Sequence, residues 1–241
     1  LVPDVNGFYR SSFLEPDKLG YKQCDPQANM QAVENWLETI GVLGGRRHTP
    51  IVLVGHSMSG AALFYFNQRK WSNHKVGRVS LAPALLMNDV LRKGFYNTLG
   101  IGIWAGNVLS LNAVTNKLSP LVVDQLIAGA SKHVQDVHAR VFKGTAKATL
   151  ANTFAAMGHA KAPVTTSGWE NMKVLLGHSD RLVGLSPMLD LLVELGFNSR
   201  QMRVLLGDHY FFSVGRHSRT LHAESREIAF EEICRVVEMV K

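Results

Sequence analysis

The run Ile51-Val52-Leu53-Val54-Gly55-His56-Ser57-Met58-Ser59-Gly60 constrains the fold more than any other part of this chain. Four apolar, mostly β-branched residues bounded by a turn read as a buried parallel strand. Ala61-Ala62-Leu63-Phe64-Tyr65-Phe66 then reads as the first turns of a buried helix, reaching to about Lys70. A strand that passes into a helix through a single serine strains that serine's backbone. It also demands small neighbours, so that strand and helix can approach closely. Gly55 stands two residues before Ser57, and Ser59 and Gly60 stand two and three after it.

Strand, serine turn and helix in that order form a nucleophile elbow. The strict Gly-x-Ser-x-Gly pattern is not met, because Ser59 holds the second glycine position, although serine is small enough to fit there. On these residues the chain resembles the lidded α/β-hydrolases, a superfamily that includes esterases, lipases, serine aminopeptidases and carbon–carbon bond hydrolases. Two downstream segments extend the resemblance. Val174-Leu175-Leu176-Gly177-His178-Ser179-Asp180-Arg181-Leu182-Val183 reads as a late strand and a loop carrying an acid, similar to the family's Gly-x-x-Asp-x-x-Val. Arg203-Val204-Leu205-Leu206-Gly207-Asp208-His209 reads as the last strand followed by a histidine. The 29-residue step from Asp180 to His209 has room for one helix and one strand. Ser186 as N-cap, Pro187 at the first position, an apolar run to Leu195 and Gly196 as C-cap mark that helix. The resemblance covers Asp4 to about Gly60 and about Val164 to Lys241, and the middle matches only loosely.

The resemblance implies a triad in the order serine, acid, histidine. Ser57 would be the nucleophile, His209 the base that activates it, and Asp180 the group that holds the imidazole tautomer. The backbone N–H of Met58 would be one donor of an oxyanion hole. His209 competes with His217 and His222 as the base, and is preferred because it directly follows a strand end. Asp89, after the strand near Val79–Ala82, is the alternative acid. Asp208 could cap a turn, and His56 and His178 read as supporting or packing residues. Dehalogenases and epoxide hydrolases usually carry an aspartate at the elbow, so Ser57 argues against both.

The first residues, Leu1-Val2-Pro3-Asp4-Val5-Asn6-Gly7-Phe8-Tyr9-Arg10-Ser11, resemble the end of the family's fourth strand and its loop. Three strands precede that point in the family, and the loop after the third supplies the other oxyanion N–H. The expectation is a fragment of a longer reading frame, with a complete but circularly rearranged or degenerate hydrolase as the alternative. It carries the triad but has impaired activity by itself, because loss of one oxyanion donor costs on the order of a hundred- to a thousandfold.

A length of 241 residues suits one α/β domain with an inserted lid. The sequence divides into a hydrolase core over 1–83 and 163–241 and a helical lid over 84–162. Asp25-Pro26 opens a helix through Trp36-Leu37 to about Gly41, and Val76 to Ala82 is a strand. Between Pro83 and Pro163, Ser119-Pro120 opens a helix running to Val141, and Thr145 to Met157 forms another. A last helix, near Leu221 to Val240, carries Ile228, Ile233, Val236 and Val237 on one face.

Cys24 and Cys234 read as free buried thiols with no disulfide framework. No metal-ligand spacing appears among the histidines, and no cofactor is implied. No window has the length and apolarity of a membrane span; 98–114 comes nearest but is broken by glycines and asparagines. The net charge of +7 comes from scattered basic residues, read as a solvated surface without a nucleic-acid motif.

The function implied is a serine hydrolase that cleaves a carboxylic ester or related acyl bond. Its partner would be a small-molecule acyl substrate, apolar because the lid is rich in Leu, Val, Ala and Ile with Trp104, Phe142, Phe154 and Met157. A hydrolase-fold protein that binds a ligand or partner without turnover, and an acyltransferase, are the alternatives.

Overall fold

A computed structural model of the chain describes residues 8, 13–45, 49–111, 113–114, 116–117, 130–163, 169–213 and 221–241. Apart from Phe8, the opening segment read as a fourth strand and loop lies outside them, as do Val164, Ser119-Pro120, His217 and the side chain of His222.

Helix α1 spans Pro26–Thr39, and Asp25 caps it by accepting from the Ala28 N–H at 2.7 Å. Strand β1 (Ile51–His56) leads into the short helix α2 (Met58–Ala62). Strand β2 (Val76–Leu81) follows, then helices α3 (Val90–Val108), α4 (Lys132–Gly144) and α5 (Lys147–Gly158). Strand β3 (Met172–Gly177), helix α6 (Leu185–Glu194), strand β4 (Met202–Leu205) and helix α7 (Leu221–Val240) complete the order.

The four strands form one all-parallel sheet in the order β1-β2-β3-β4, with Ile51 beside Val76, Arg78 beside Met172 and Val174 beside Met202. Successive side chains alternate between two cores, as the two-residue period of a strand requires. Val76, Met172, Val174 and Leu176 face the core built with α1, α2 and α6. Val79, Leu81, Leu175 and Leu205 face the core built with α7. Every β2 residue is buried. On β1, the edge strand of the described sheet, Val54 is 47% exposed.

Several expectations need correction. The helix after the elbow does not reach Lys70. It ends at Ala62 and runs into a single 3-10 turn, Leu63–Tyr65, and Phe66, at ψ 128°, is no longer helical. The bond that would continue it has been redistributed. The Leu63 carbonyl accepts from buried Arg78 Nη1 at 2.9 Å, and the Asn67 N–H donates to buried Glu34 at 2.7 Å. The helix expected from Ser119-Pro120 to Val141 is not continuous, because Ser131 is extended and caps a new helix, α4. Helix α6 starts at Leu185 with Gly184 as N-cap at φ 77°, so Ser186 and Pro187 lie inside it. Gly196, at φ 85°, follows the C-cap Leu195. Cys24 is buried as expected, but Cys234 is exposed.

Candidate active site

Ser57, Asp180 and His209 each follow the C-terminal end of a strand, namely β1, β3 and β4. In an open parallel sheet that edge is where ligands bind.

The elbow is strained as its sequence requires. Ser57 has φ 55° and ψ −118°, a backbone conformation rarely adopted by residues other than glycine. Its surroundings hold it there. The Ser57 N–H donates to the Leu81 carbonyl at 2.9 Å, and its own carbonyl accepts from Ala61 at 2.9 Å and Ala84 at 3.0 Å. A side chain at Gly55 would come within 2.5 Å of the Ser59 carbonyl oxygen, and one at Gly60 within 2.9 Å of Ser80 Oγ. The close approach thus falls on Gly55 and Gly60, which is why Ser59 is tolerated. Met58 is the first residue of α2, so its N–H has no acceptor within the helix.

Asp180 and His209 are both buried and form a pair. His209 Nδ1–H donates to Asp180 Oδ2 at 2.8 Å. Asp180 Oδ1 accepts from the N–H groups of Leu182 (2.9 Å) and Val183 (3.1 Å). The carboxylate is therefore fixed at both oxygens, and the imidazole is left with Nε2 free to accept a proton. Backbone bonds from His178 to Leu205 and from Ser179 to Gly207, each 2.8 Å, lock the two loops together. Gly177 has no room for a side chain, which would meet the Asp208 carbonyl.

The rival candidates among the described residues take other roles. Asp89 is not the acid partner of His209: it caps α3 by accepting from the Arg92 N–H at 2.8 Å and pairs with the Arg92 guanidinium. Asp208 accepts from the Tyr210 N–H at 2.8 Å, the expected turn. His178 is exposed. His56 packs against the His209 ring, centroids 4.6 Å apart, and its Nε2–H donates to the His209 carbonyl at 3.0 Å. It thereby ties the elbow to the histidine loop. Burial, and next the proximity of His209, hold its pKa well below the usual histidine value, so it stays neutral.

Sequence reasoning missed Tyr210 and His138. The Tyr210 hydroxyl donates to His138 Nε2 at 2.5 Å and so joins α4 to the loop of His209. Burial raises the Tyr210 pKa above the usual tyrosine value. Burial, then His209, lower that of His138, so the phenol is the donor and the neutral imidazole the acceptor. Helix α3 is joined to the loop of Asp180 in a similar way, through Arg92 Nε and Nη2 to the Arg181 carbonyl at 3.2 and 3.1 Å. No local pattern signals either link, because the partners stand 72 and 89 residues apart. Among the described residues no group of side chains could hold a metal ion.

Solved structures similar to this chain include an esterase from Thermogutta terrifontis, at 13% identity and a TM-score of 0.57, over 90% of this chain and 74% of that one. A structure from work on carboxylesterases of Nitrososphaera gargenis matches at 14% identity and a TM-score of 0.62, over 98% of this chain and 80% of that one. An epoxide hydrolase from Bacillus megaterium matches at 10% and 0.59, over 96% and 82%. No protein-family model matches the chain. No curated protein matches it either. The parallel sheet, its flanking helices and these neighbours give the class: the chain has the α/β-hydrolase fold.

Proposed function

We propose that this protein is a serine hydrolase that cleaves a carboxylic ester, or a related acyl bond, through an acyl-enzyme on Ser57. The observation that carries the proposal is the buried Asp180–His209 hydrogen bond, formed at the same sheet edge as a serine held at positive φ. With Nδ1–H engaged by Asp180, His209 Nε2 takes the Ser57 proton as Oγ attacks the acyl carbon. The carbon–oxygen bond to the leaving alcohol then breaks as His209 returns that proton to it. Water, deprotonated by the same nitrogen, attacks the ester carbonyl; the bond to Ser57 Oγ then breaks as His209 returns the proton to that oxygen, and the acid leaves. The Met58 N–H contributes to the oxyanion hole, where a helix N-terminus favours developing negative charge.

The segment 84–162, which carries α3, α4 and α5, serves as the lid and bounds the acyl site. Apolar side chains from it (Leu99, Ile103, Phe154) join Leu182 and Phe212 from the site loops in one cluster, which favours an apolar acyl group. The similar structures include both esterases and epoxide hydrolases. Serine rather than aspartate at the elbow favours the ester reading. Hydrolysis of short- and medium-chain p-nitrophenyl esters tests it. Turnover should vanish in Ser57→Ala, and turnover unchanged by that substitution would defeat the proposal.

A further inference from the structure

Helix α3 bears an unusual surface. Residues 94–116 form a run of 23 without a single Asp, Glu, Lys, Arg or His. Only one side of α3 is used internally: Tyr96, Gly100 and Ile103 are buried, and Gly100 lies against the backbone of α5. The other side carries Val90, Leu91, Phe95, Ile101, Trp104, Val108 and Leu109, all exposed, with Leu91 at 87% and Trp104 at 56%. At 100° per residue these positions sweep about half of the helix circumference. The helix is about 28 Å long at 1.5 Å per residue, so this is a contiguous apolar face rather than scattered surface residues.

Charge identifies what covers it. The segment 84–162 holds eight Lys and Arg residues against three acids, so it carries +5 of the chain's +7. Helix α4, which shares a buried cluster with α3 through Phe142 and Ile103, exposes Lys132, Arg140 and Lys143. Its single acid, Asp136, pairs with Lys132. No described helix is long and apolar enough to cross a membrane. An apolar helical face on a segment of net positive charge, too short on apolarity to span, is the pattern of a helix that lies in the plane of an anionic lipid surface. An exposed tryptophan suits the headgroup level.

We infer that α3 docks on a lipid bilayer carrying anionic headgroups, with its apolar face in the acyl boundary and the net positive charge of the segment drawing it to the headgroups. This goes beyond the esterase reading and does not depend on Ser57. The test is co-sedimentation of the full chain with vesicles of phosphatidylcholine alone and of phosphatidylcholine with phosphatidylglycerol. Binding should require the anionic lipid and weaken with salt. It should fall about tenfold or more in the double variant Phe95→Glu, Val108→Glu, both of whose positions are exposed. Arg140→Gln with Lys143→Gln should remove part of the salt-dependent component. Trp104 emission should shift to the blue on binding, and the shift should be lost in Trp104→Phe. Failure to bind anionic vesicles at low salt would overturn the inference. So would binding that the Glu substitutions leave unchanged. A dimer in solution that those substitutions dissolve would assign the face to a second copy of the chain and overturn it too.

Discussion

At the scale of single residues, the site is a set of geometric obligations, and each can be broken separately. Asp180→Asn keeps the shape but cannot hold His209 in the Nδ1–H tautomer. Ester turnover should fall by about 10⁴-fold while the fold persists, as steady-state kinetics beside a thermal melt would reveal. Gly55→Ala forces a methyl group to within 2.5 Å of a backbone oxygen that cannot move away. The cost should be about 1–3 kcal/mol by denaturant unfolding, and an unchanged midpoint would contradict the packing described. The strand-end placement of Ser57, Asp180 and His209 was legible in the sequence, because each follows a strand with its own local signature. Tyr210 and His138 were not, because their bond is made by the docking of α4 and leaves no trace in neighbouring residues.

At the scale of elements, apolar pattern found the four described strands and the termini of α1 and α7 to within about two residues. It failed where a tertiary hydrogen bond overrides local preference. Ala61 to Phe66 reads as an uninterrupted helix, yet Arg78 takes the Leu63 carbonyl and Glu34 takes the Asn67 N–H, and the helix stops. Glu34 also accepts from the buried Trp71 Nε1 at 3.1 Å. Glu34→Ala should therefore leave two donors without an acceptor and cost about 3 kcal/mol. A loss of only a few tenths in urea unfolding would show that this carboxylate does not organise the turn. Ser131 is a different case: its side chain makes a local cap by accepting from the Val134 N–H, and that cap starts a new helix.

At the scale of the whole molecule, the histidines near the site make stability depend on pH. His56 and His138 have folded pKa values lowered from 6.5, chiefly by burial. The unfolded chain takes up protons on them below about pH 6.5, and the folded chain does so only at lower pH. Their contribution is therefore complete above that pH and is lost as pH falls toward the folded values. Each group contributes a slope of at most about 1.4 kcal/mol per pH unit. Urea unfolding at about pH 7.5 and about pH 5.5 should show lower stability at the acid end, with a smaller drop in His138→Phe. Equal drops in the two proteins would remove His138 from this account. The central claim is an activated serine, and labelling with a fluorophosphonate, followed by mass mapping of the modified peptide, tests it most directly. The account predicts a single adduct on Ser57 that is abolished in His209→Ala and strongly slowed in Asp180→Asn. Absence of an adduct on Ser57, or one that forms equally fast without His209, would contradict it.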